Sequence, residues 1–222
     1  MNIIERITNA SFRLVYRIFF KFDRKELDKV PHKGPLLLIA NHTSFLDGPL
    51  MYVFLRPRNT IAMAKKELWN HWFTRNIMKL WKCIPVDREN MTRESMQASL
   101  KVLKEKNILA IAPEGTRNRE GILQMGKSGV AFIAYKEKVP MIPVAILGFE
   151  KFSENIRRFR RTPLFVKVGR PFSIVKTEGR LDADGREELM EEIMLHLAAL
   201  LPEKNRGFYR GKNRPYILTS AD

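Results

Sequence analysis

The chain has 222 residues, 45% of them hydrophobic, and a formal net charge of +16. A chain of this length and composition can bury one substantial core, and we expect one main domain because no Ser/Gly-rich linker divides it. Its single cysteine excludes an intrachain disulfide framework. The positive charge favours polyanionic partners, such as an anionic lipid surface or nucleic acid.

The first 22 residues are predicted to form an amphipathic helix. Apolar residues recur there at helical spacing and basic residues gather opposite them: Ile7, Leu14, Val15, Ile18, Phe19 and Phe22 against Arg6, Arg13, Arg17, Lys21 and Arg24. Such a helix suits a membrane interface; the alternative is that its apolar stripe packs on the domain. It is too charged to span a bilayer, and the same charges argue against a signal peptide.

A short apolar segment at residues 36–40 is predicted to be a central strand buried on both faces. His42 and Asp47 follow it. On one continuous helix these two residues would lie about 140° apart, so we expect His42 in a loop and Asp47 at a helix start, with Pro49 just inside the helix. The carboxyl end of such a strand is where an open α/β sheet places a site.

The pair His42 and Asp47 suits proton transfer. A neutral imidazole accepts a proton near pH 7, and a carboxylate on its other nitrogen fixes the tautomer and stabilises the imidazolium. A loop histidine beside a helix-capping aspartate is the alternative interpretation of the pair taken alone.

The remaining elements alternate between strands and helices. We predict strands at 60–64, 83–86, 108–112, 141–147 and 164–168, and helices beginning near Pro49, at 70–80, around 96–103, around 130–134 and at 184–201. This order predicts an α/β fold with a mixed, mostly parallel sheet flanked by helices. Cys83 begins one of these strands and is predicted to be a core residue rather than a nucleophile. The domains are then an amphipathic helix (1–22), an α/β domain (23–202) and a basic tail (203–222), for which a membrane, a partner or disorder remain open.

A second polar loop follows the predicted strand at 108–112. It has the sequence Pro113-Glu114-Gly115-Thr116-Arg117. Read alone, this is a solvated turn with a glycine for positive φ. Two buried strands that end in complementary polar loops instead favour a shared pocket.

At this point the sequence resembles a known family. Residues 42–47 resemble the HxxxxD motif of the lysophospholipid acyltransferases, the family of 1-acylglycerol-3-phosphate acyltransferases, and residues 114–117 resemble their EGTR block. Two further blocks agree, at 64–68 with 84–88 and at 139–144, and all four occur in the family's order. The resemblance implies an α/β acyltransferase domain of the glycerol-phosphate acyltransferase type.

The resemblance also implies roles for the residues of these blocks. His42 would be the general base that deprotonates the acceptor hydroxyl, and Asp47 would hold its imidazole. Arg117, Lys65 and Arg88 would bind the acceptor phosphate, and Glu114 would take a glycerol hydroxyl. The full substrate-binding set comprises Lys65, Arg88, Glu114, Gly115, Thr116 and Arg117.

The expected activity is transfer of a fatty acyl group from acyl-CoA or acyl carrier protein to the free hydroxyl of a lysophospholipid. The expected acceptor is 1-acylglycerol 3-phosphate, which would give phosphatidate in phospholipid biosynthesis, at the cytoplasmic face of the membrane. Glycerol 3-phosphate, another lysolipid, a lyso-aminolipid, or a noncatalytic lipid- or nucleic-acid-binding module are the alternatives. We expect no metal, no cofactor beyond the thioester co-substrate, and no nucleic acid. Residues 69–80, a stretch that shapes the acyl-chain side of the pocket in the family, lack the proline and glycine that are common there.

Overall fold

The computed structural model describes residues 3–87, 91–175 and 181–221. Its helices are α1 (Ile3–Phe19), α2 (Asp47–Phe54), α3 (Trp72–Leu80), α4 (Arg93–Lys104), α5 (Gly129–Glu137), α6 (Phe152–Arg157) and α7 (Ala183–Ala198). Its strands are β1 (Phe20–Lys21), β2 (Leu36–Ala40), β3 (Thr60–Lys65), β4 (Ile84–Val86), β5 (Ile108–Ile111), β6 (Met141–Leu147), β7 (Thr162–Pro163), β8 (Phe165–Val168), β9 (Phe172–Ile174) and β10 (Thr219–Ala221). Short 3₁₀ helices lie at Arg24–Lys29, Lys66–Trp69, Phe149–Lys151, Glu203–Asn205 and Gly207–Tyr209.

The main sheet has the strand order β10-β9-β6-β2-β5-β3-β4, and β8 also pairs with β6. Strand β2 is parallel to both β5 and β6, and β3 is parallel to both β4 and β5. Strands β8 and β9 are antiparallel to β6, and β10 is antiparallel to β9. The predicted α/β class with a mixed, mostly parallel sheet is confirmed.

Helices cover both faces of this sheet. In β2, Leu37 and Ile39 belong to the core that includes α5 and α7, whereas Leu36 and Leu38 belong to the core that includes α1 and α2. All five residues of β2 are buried for this reason, which explains why the strand is apolar throughout rather than alternating. Two cores on opposite faces make a three-layer domain.

The strongly apolar elements were predicted within a few residues, and the short ones were missed. Strands β1, β7, β9 and β10 and helix α6 each have two to six residues, too few for a periodic pattern to show.

Residues 203–221 contribute β10 to the main sheet. There the fully buried Glu192 of α7 accepts hydrogen bonds from the backbone of Ile217 and Leu218 and from the hydroxyl of Thr219. This part of the tail is therefore packed on the domain.

Helix α1 docks on the domain through a side that the sequence did not indicate. Asn9 and Tyr16 are the buried residues of α1. Phe19 and Phe22, which were predicted to belong to the membrane-facing apolar stripe, pack against the core of the domain instead. The aliphatic residues of the other side are exposed: Ile3, Ile4, Ile7, Leu14, Val15 and Ile18. The alternative in which the stripe packs on the domain therefore holds for Phe19 and Phe22 but not for its aliphatic residues. Across the described ranges, no helix combines the length and apolar character needed to cross a bilayer.

Candidate active site

The predicted site residues meet where β2 and β5 end, at the carboxyl edge of the sheet. These strands are parallel neighbours, so the loop that carries His42 and the loop that carries Arg117 leave the sheet side by side. Helix α2 begins at Asp47, as predicted. A carboxylate in the first turn of a helix also interacts favourably with the helix dipole.

His42 and Asp47 form a hydrogen-bonded pair. The imidazole Nδ1 lies 2.8 Å from Oδ2 of Asp47, and the two side chains are 18% and 7% exposed. The same carboxylate oxygen accepts the backbone N–H groups of Thr43 and Ser44, both at 2.8 Å. Because a carboxylate only accepts, Nδ1 of His42 carries the proton, and Nε2 is left as the basic nitrogen.

The loop that carries His42 is also fixed through its backbone. The side chain of Asn41 makes two 2.7 Å hydrogen bonds to the backbone of Ile146 in β6. The backbone N–H of His42 donates to Glu114 at 2.7 Å, and its carbonyl accepts from the N–H of Asn118 at 2.9 Å. Three separate segments of the chain therefore position the imidazole.

Glu114 lies beneath the site rather than at its surface. It is only 3% exposed, and its two oxygens accept the N–H groups of His42 and Gln124. Burial raises the pKa of Glu114 to about 7; the hydrogen bonds from Gln124 and His42 act against this, and the charge of Asp47 adds to it. The role in binding a glycerol hydroxyl stays a prediction, and the structure adds that each oxygen already accepts one N–H group of the protein.

A cavity of about 670 Å³ opens beside His42, within the range typical of ligand sites. The sheet contributes small side chains to one wall, because Ala62 of β3 lies beside Ala110 of β5. Met51 and Tyr52 of α2, Met78 of α3 and Trp81 directly after α3 also line the cavity. The cavity is therefore largely apolar, and His42 and Asp47 lie in its wall.

Cations border the same cavity. Lys65, Arg117 and Lys127 all line it. Lys65 also forms a 3.0 Å ion pair with Glu67 at the surface. Arg88, predicted as a further phosphate ligand, lies outside the described residues. Thr116 is exposed and hydrogen-bonds to Gln124, so its side chain supports the loop.

Comparisons with known proteins show the family to which the chain belongs. A family model described as Acyltransferase matches residues 21–147, which is more than half of the chain and includes both motif loops.

The chain belongs to the acyltransferase family.

Similar proteins carry a consistent name. The chain is 30% identical over 144 residues to the 1-acyl-sn-glycerol-3-phosphate acyltransferase of Bacillus subtilis, which covers 65% of this chain and 70% of that protein. It is 28% identical over 194 residues to the enzyme of that name from Streptococcus pneumoniae, with 85% of this chain and 69% of that protein covered. The chain spans about half, 51%, of the corresponding protein from Limnanthes douglasii.

A solved structure shows the same fold. The 1-acyl-sn-glycerophosphate (LPA) acyltransferase PlsC from Thermotoga maritima matches with a TM-score of 0.59 and 24% identity, covering 89% of this chain and 76% of that one. The family is therefore shown by the sequence comparisons, and the α/β acyltransferase fold by the structure. Acyl transfer is the reaction class of this family, and phospholipid biosynthesis is the pathway that the relatives' names indicate.

Sequence reasoning missed Lys127, a further cation at this candidate site. The backbone N–H of Lys127 donates to Pro113 at 2.9 Å, so residues 124–127 run back along the EGTR loop. The lysine stem lies over Gly115, where an added Cβ would be 2.9 Å from Cε and 3.1 Å from Cδ. Gly115 thus has two roles: it adopts the positive φ of +69° that the turn requires, and it leaves space for the side chain of Lys127. The separation of twelve residues hides this contact from any local pattern.

The carboxyl-terminal segment braces this part of the acyltransferase site. Leu123 donates to the carbonyl of Asn205 at 2.9 Å, and the amide of Asn205 donates back to the carbonyl of Gly121 at 2.9 Å. The N–H of Gly126 donates to the hydroxyl of Tyr209 at 3.2 Å. Hydrogen bonds from the carboxyl-terminal segment therefore fix the position of the segment that carries Lys127.

Cys83 lies in the cavity wall rather than deep in the core. Burial raises the pKa of its thiol to about 11, and the backbone hydrogen bond with Ala62 acts against the shift. A thiol with so high a pKa is a poor nucleophile at neutral pH. The candidate site thus gives Cys83 no chemical advantage as a nucleophile.

Proposed function

We propose that this acyltransferase moves a fatty acyl group from a thioester to the free hydroxyl of 1-acylglycerol 3-phosphate, giving phosphatidate. The observation that carries the proposal is the His42–Asp47 pair in the wall of an apolar cavity that cations also border. The names of the relatives support the same acceptor.

His42 is the general base in this proposal. Its Nε2 takes the proton from the acceptor hydroxyl while Asp47 stabilises the imidazolium through Nδ1. The acceptor oxygen forms a bond to the acyl carbon as the carbon–sulfur bond breaks, and the proton on Nε2 passes to the departing thiolate. Either a coenzyme A thioester or a carrier-protein thioester supplies that carbon–sulfur bond. No covalent acyl-enzyme is required.

The cavity separates the two ends of the substrates. Its apolar part, between the alanines of the sheet and the side chains of α2 and α3, suits a hydrocarbon chain because burial of apolar surface is favourable. Arg117, Lys65 and Lys127 suit the acceptor phosphate, the arginine by its planar fork and the lysines as point charges. This arrangement orients the hydroxyl of the acceptor toward His42.

The exposed side of α1 supports action at a membrane surface. The aliphatic stripe of α1 is open to solvent, and the exposed bases Arg6 and Arg17 lie on the same helix. On its docked side, the hydroxyl of Tyr16 donates to the carbonyl of Leu46 at 2.6 Å, one residue before Asp47. A helix that binds lipid through its free side would therefore also support the catalytic loop.

Replacement of His42 tests the proposal. In His42→Ala, we expect kcat for acylation of lysophosphatidate to fall by about 10² to 10⁴, since that is the usual contribution of a general base. Asp47→Asn should also lose activity with little effect on acceptor KM. His32→Ala, a histidine outside the site, is the matched control, and thermal unfolding should show that all variants fold. Undiminished turnover in His42→Ala would remove the base assignment, whereas absence of acyl transfer by the unaltered protein would favour the noncatalytic lipid-binding module.

A further inference from the structure

A short basic loop follows α6 and presents an aromatic ring to solvent. Residues 157–161 have the sequence Arg-Arg-Phe-Arg-Arg, and we call them the arginine loop. The side chain of Phe159 is 100% exposed. Arg157, Arg158 and Arg160 are exposed as well, and Arg158 forms a 3.2 Å ion pair with Glu154. A wholly exposed phenylalanine between arginines is an arrangement that needs an explanation.

The backbone holds this ring outward. The carbonyl of Asn155 accepts the N–H groups of Arg158 at 3.1 Å and Arg160 at 2.9 Å, which closes the loop tightly after α6. Phe159 adopts φ +51°, a left-handed conformation that glycine or asparagine normally takes at the end of a helix. The loop therefore keeps an unfavourable conformation and an unburied ring together, and retained strain of this kind tends to accompany function.

The arginine loop lies next to the end of α1. Strand β7, which begins directly after the loop, pairs with β1, which begins directly after α1. Phe20 lies opposite Thr162 in this pairing, and the guanidinium of Arg161 donates to the carbonyl of Phe20. The arginine loop therefore lies beside the carboxyl end of the helix that carries the exposed aliphatic stripe.

We propose that the arginine loop is a second membrane contact, in which Phe159 enters the lipid interface while Arg157, Arg158 and Arg160 bind anionic headgroups. This inference rests on the proposed function for the orientation of α1 toward the membrane. An aromatic ring is favoured at the level of the headgroups, and basic residues near an anionic surface are attracted to it. With α1 as the only contact, the enzyme could rotate about the axis of that helix on the bilayer. A second contact would fix its orientation.

The exposed aliphatic stripe of α1 indicates which kind of polyanionic partner the arginine loop binds. Nucleic acid or an acidic carrier protein would also attract the arginines. Neither partner accounts for the exposed aliphatic residues Ile7, Leu14 and Ile18 of α1. A lipid surface matches both features at once, because it offers anionic headgroups above an apolar interior.

Vesicle sedimentation of the full chain tests the loop. With vesicles of phosphatidylglycerol and phosphatidylcholine, Phe159→Ser should weaken binding by about tenfold, as expected for loss of one buried aromatic ring. The triple Arg157→Gln, Arg158→Gln, Arg160→Gln variant should bind with a weaker dependence on salt and on the anionic fraction. Ile217→Ser, which removes a 70% exposed side chain from the tail, is the matched control and should bind as the unaltered protein does.

A second variant separates the loop from α1 and from the activity. Ile7→Ser with Leu14→Ser removes the stripe alone. If that variant releases the protein and Phe159→Ser does not, the loop proposal fails while the orientation of α1 stands. Neither result depends on acyl transfer, so a failure of the enzymatic proposal would be seen separately in the His42→Ala assay.

A probe at position 159 reports insertion directly. Phe159→Cys carrying an environment-sensitive fluorophore should show a blue shift on anionic vesicles and quenching by brominated acyl chains. Cys83, with its thiol pKa raised to about 11, should react slowly by comparison. The absence of a shift would overturn the proposal. So would a shift produced by acyl carrier protein or by an oligonucleotide in place of vesicles, since each would name a different partner.

Discussion

The two sides of the candidate active site are held in different ways. On the catalytic side, His42, Asp47 and Glu114 are mostly buried, and hydrogen bonds from Thr43, Ser44 and the backbone of His42 itself secure the two carboxylates. On the cation side, Lys65, Arg117 and Lys127 are exposed at the rim of the cavity.

This difference suits the chemistry that we propose for each side. Proton transfer needs the base within hydrogen-bond reach of one hydroxyl, so a small displacement is costly. Attraction of a phosphate falls off gradually with distance, so flexible cations in water can serve it. We therefore expect substitutions on the catalytic side to change kcat and those on the cation side to change acceptor KM.

Glu114 should give the largest effect among the residues that do not react. Glu114→Ala removes the acceptor for the N–H of His42, and we expect kcat to fall by about 10², as for a base displaced by about 1 Å. Glu114→Gln keeps the shape but replaces one accepting oxygen with a donor, so a smaller loss is expected. Glu120→Gln, exposed in the same loop, is the control. An unchanged kcat with a raised acceptor KM would return Glu114 to acceptor binding.

The pKa of Glu114 adds a pH test to this prediction. Because the folded value lies near 7 instead of 4.5, stability from this group is present below pH 4.5 and is lost as the pH rises through 7, by about 3 kcal/mol in all. Glu114→Gln stays neutral and avoids that loss. Above pH 7 it should therefore unfold at an equal or higher temperature while it turns over more slowly. A lower melting temperature there would contradict the burial argument.

Arg117 should give the next largest effect, and it should fall on binding. We expect Arg117→Ala to raise the KM for lysophosphatidate by about ten- to a hundredfold, the usual worth of a hydrogen bond to a charged group, with kcat reduced less. Steady-state kinetics with Arg119→Ala as the control measures this. If kcat falls as steeply as in Glu114→Ala, the proposed contrast between the two sides is lost.

Lys127 should give the smallest effect of the series. An exposed ammonium is hydrated and screened, so Lys127→Ala should raise acceptor KM by about fivefold, with Lys136→Ala in the last turn of α5 as the control. The effect should shrink at high salt. It should also vanish with a monoacylglycerol acceptor, which lacks the phosphate. An equal loss with that acceptor would show that Lys127 acts on the shape of the loop.

Much of this protein can be predicted from local sequence because local rules dominate there. The continuous apolar runs of β2, β5 and β6 predicted buried strands, and the structure confirms them. The spacing of His42 and Asp47 required a turn between them, and α2 does begin at Asp47. Such features depend on side chains a few residues apart, for which the periods of helices and strands are sufficient.

The tertiary structure alone decided which of these residues meet and which surfaces stay open. The bonds from Asn41 to Ile146 and from His42 to Glu114 join residues 105 and 72 positions apart, and no periodicity connects them. No periodicity connects Lys127 with Gly115 either, although the lysine side chain packs over that glycine. Which side of α1 is exposed to solvent was determined by its docking through Asn9 and Tyr16. The sequence by itself determined the chemistry available at two loops. Long-range packing determined that Glu114 supports the base and that aliphatic and aromatic side chains remain on the surface.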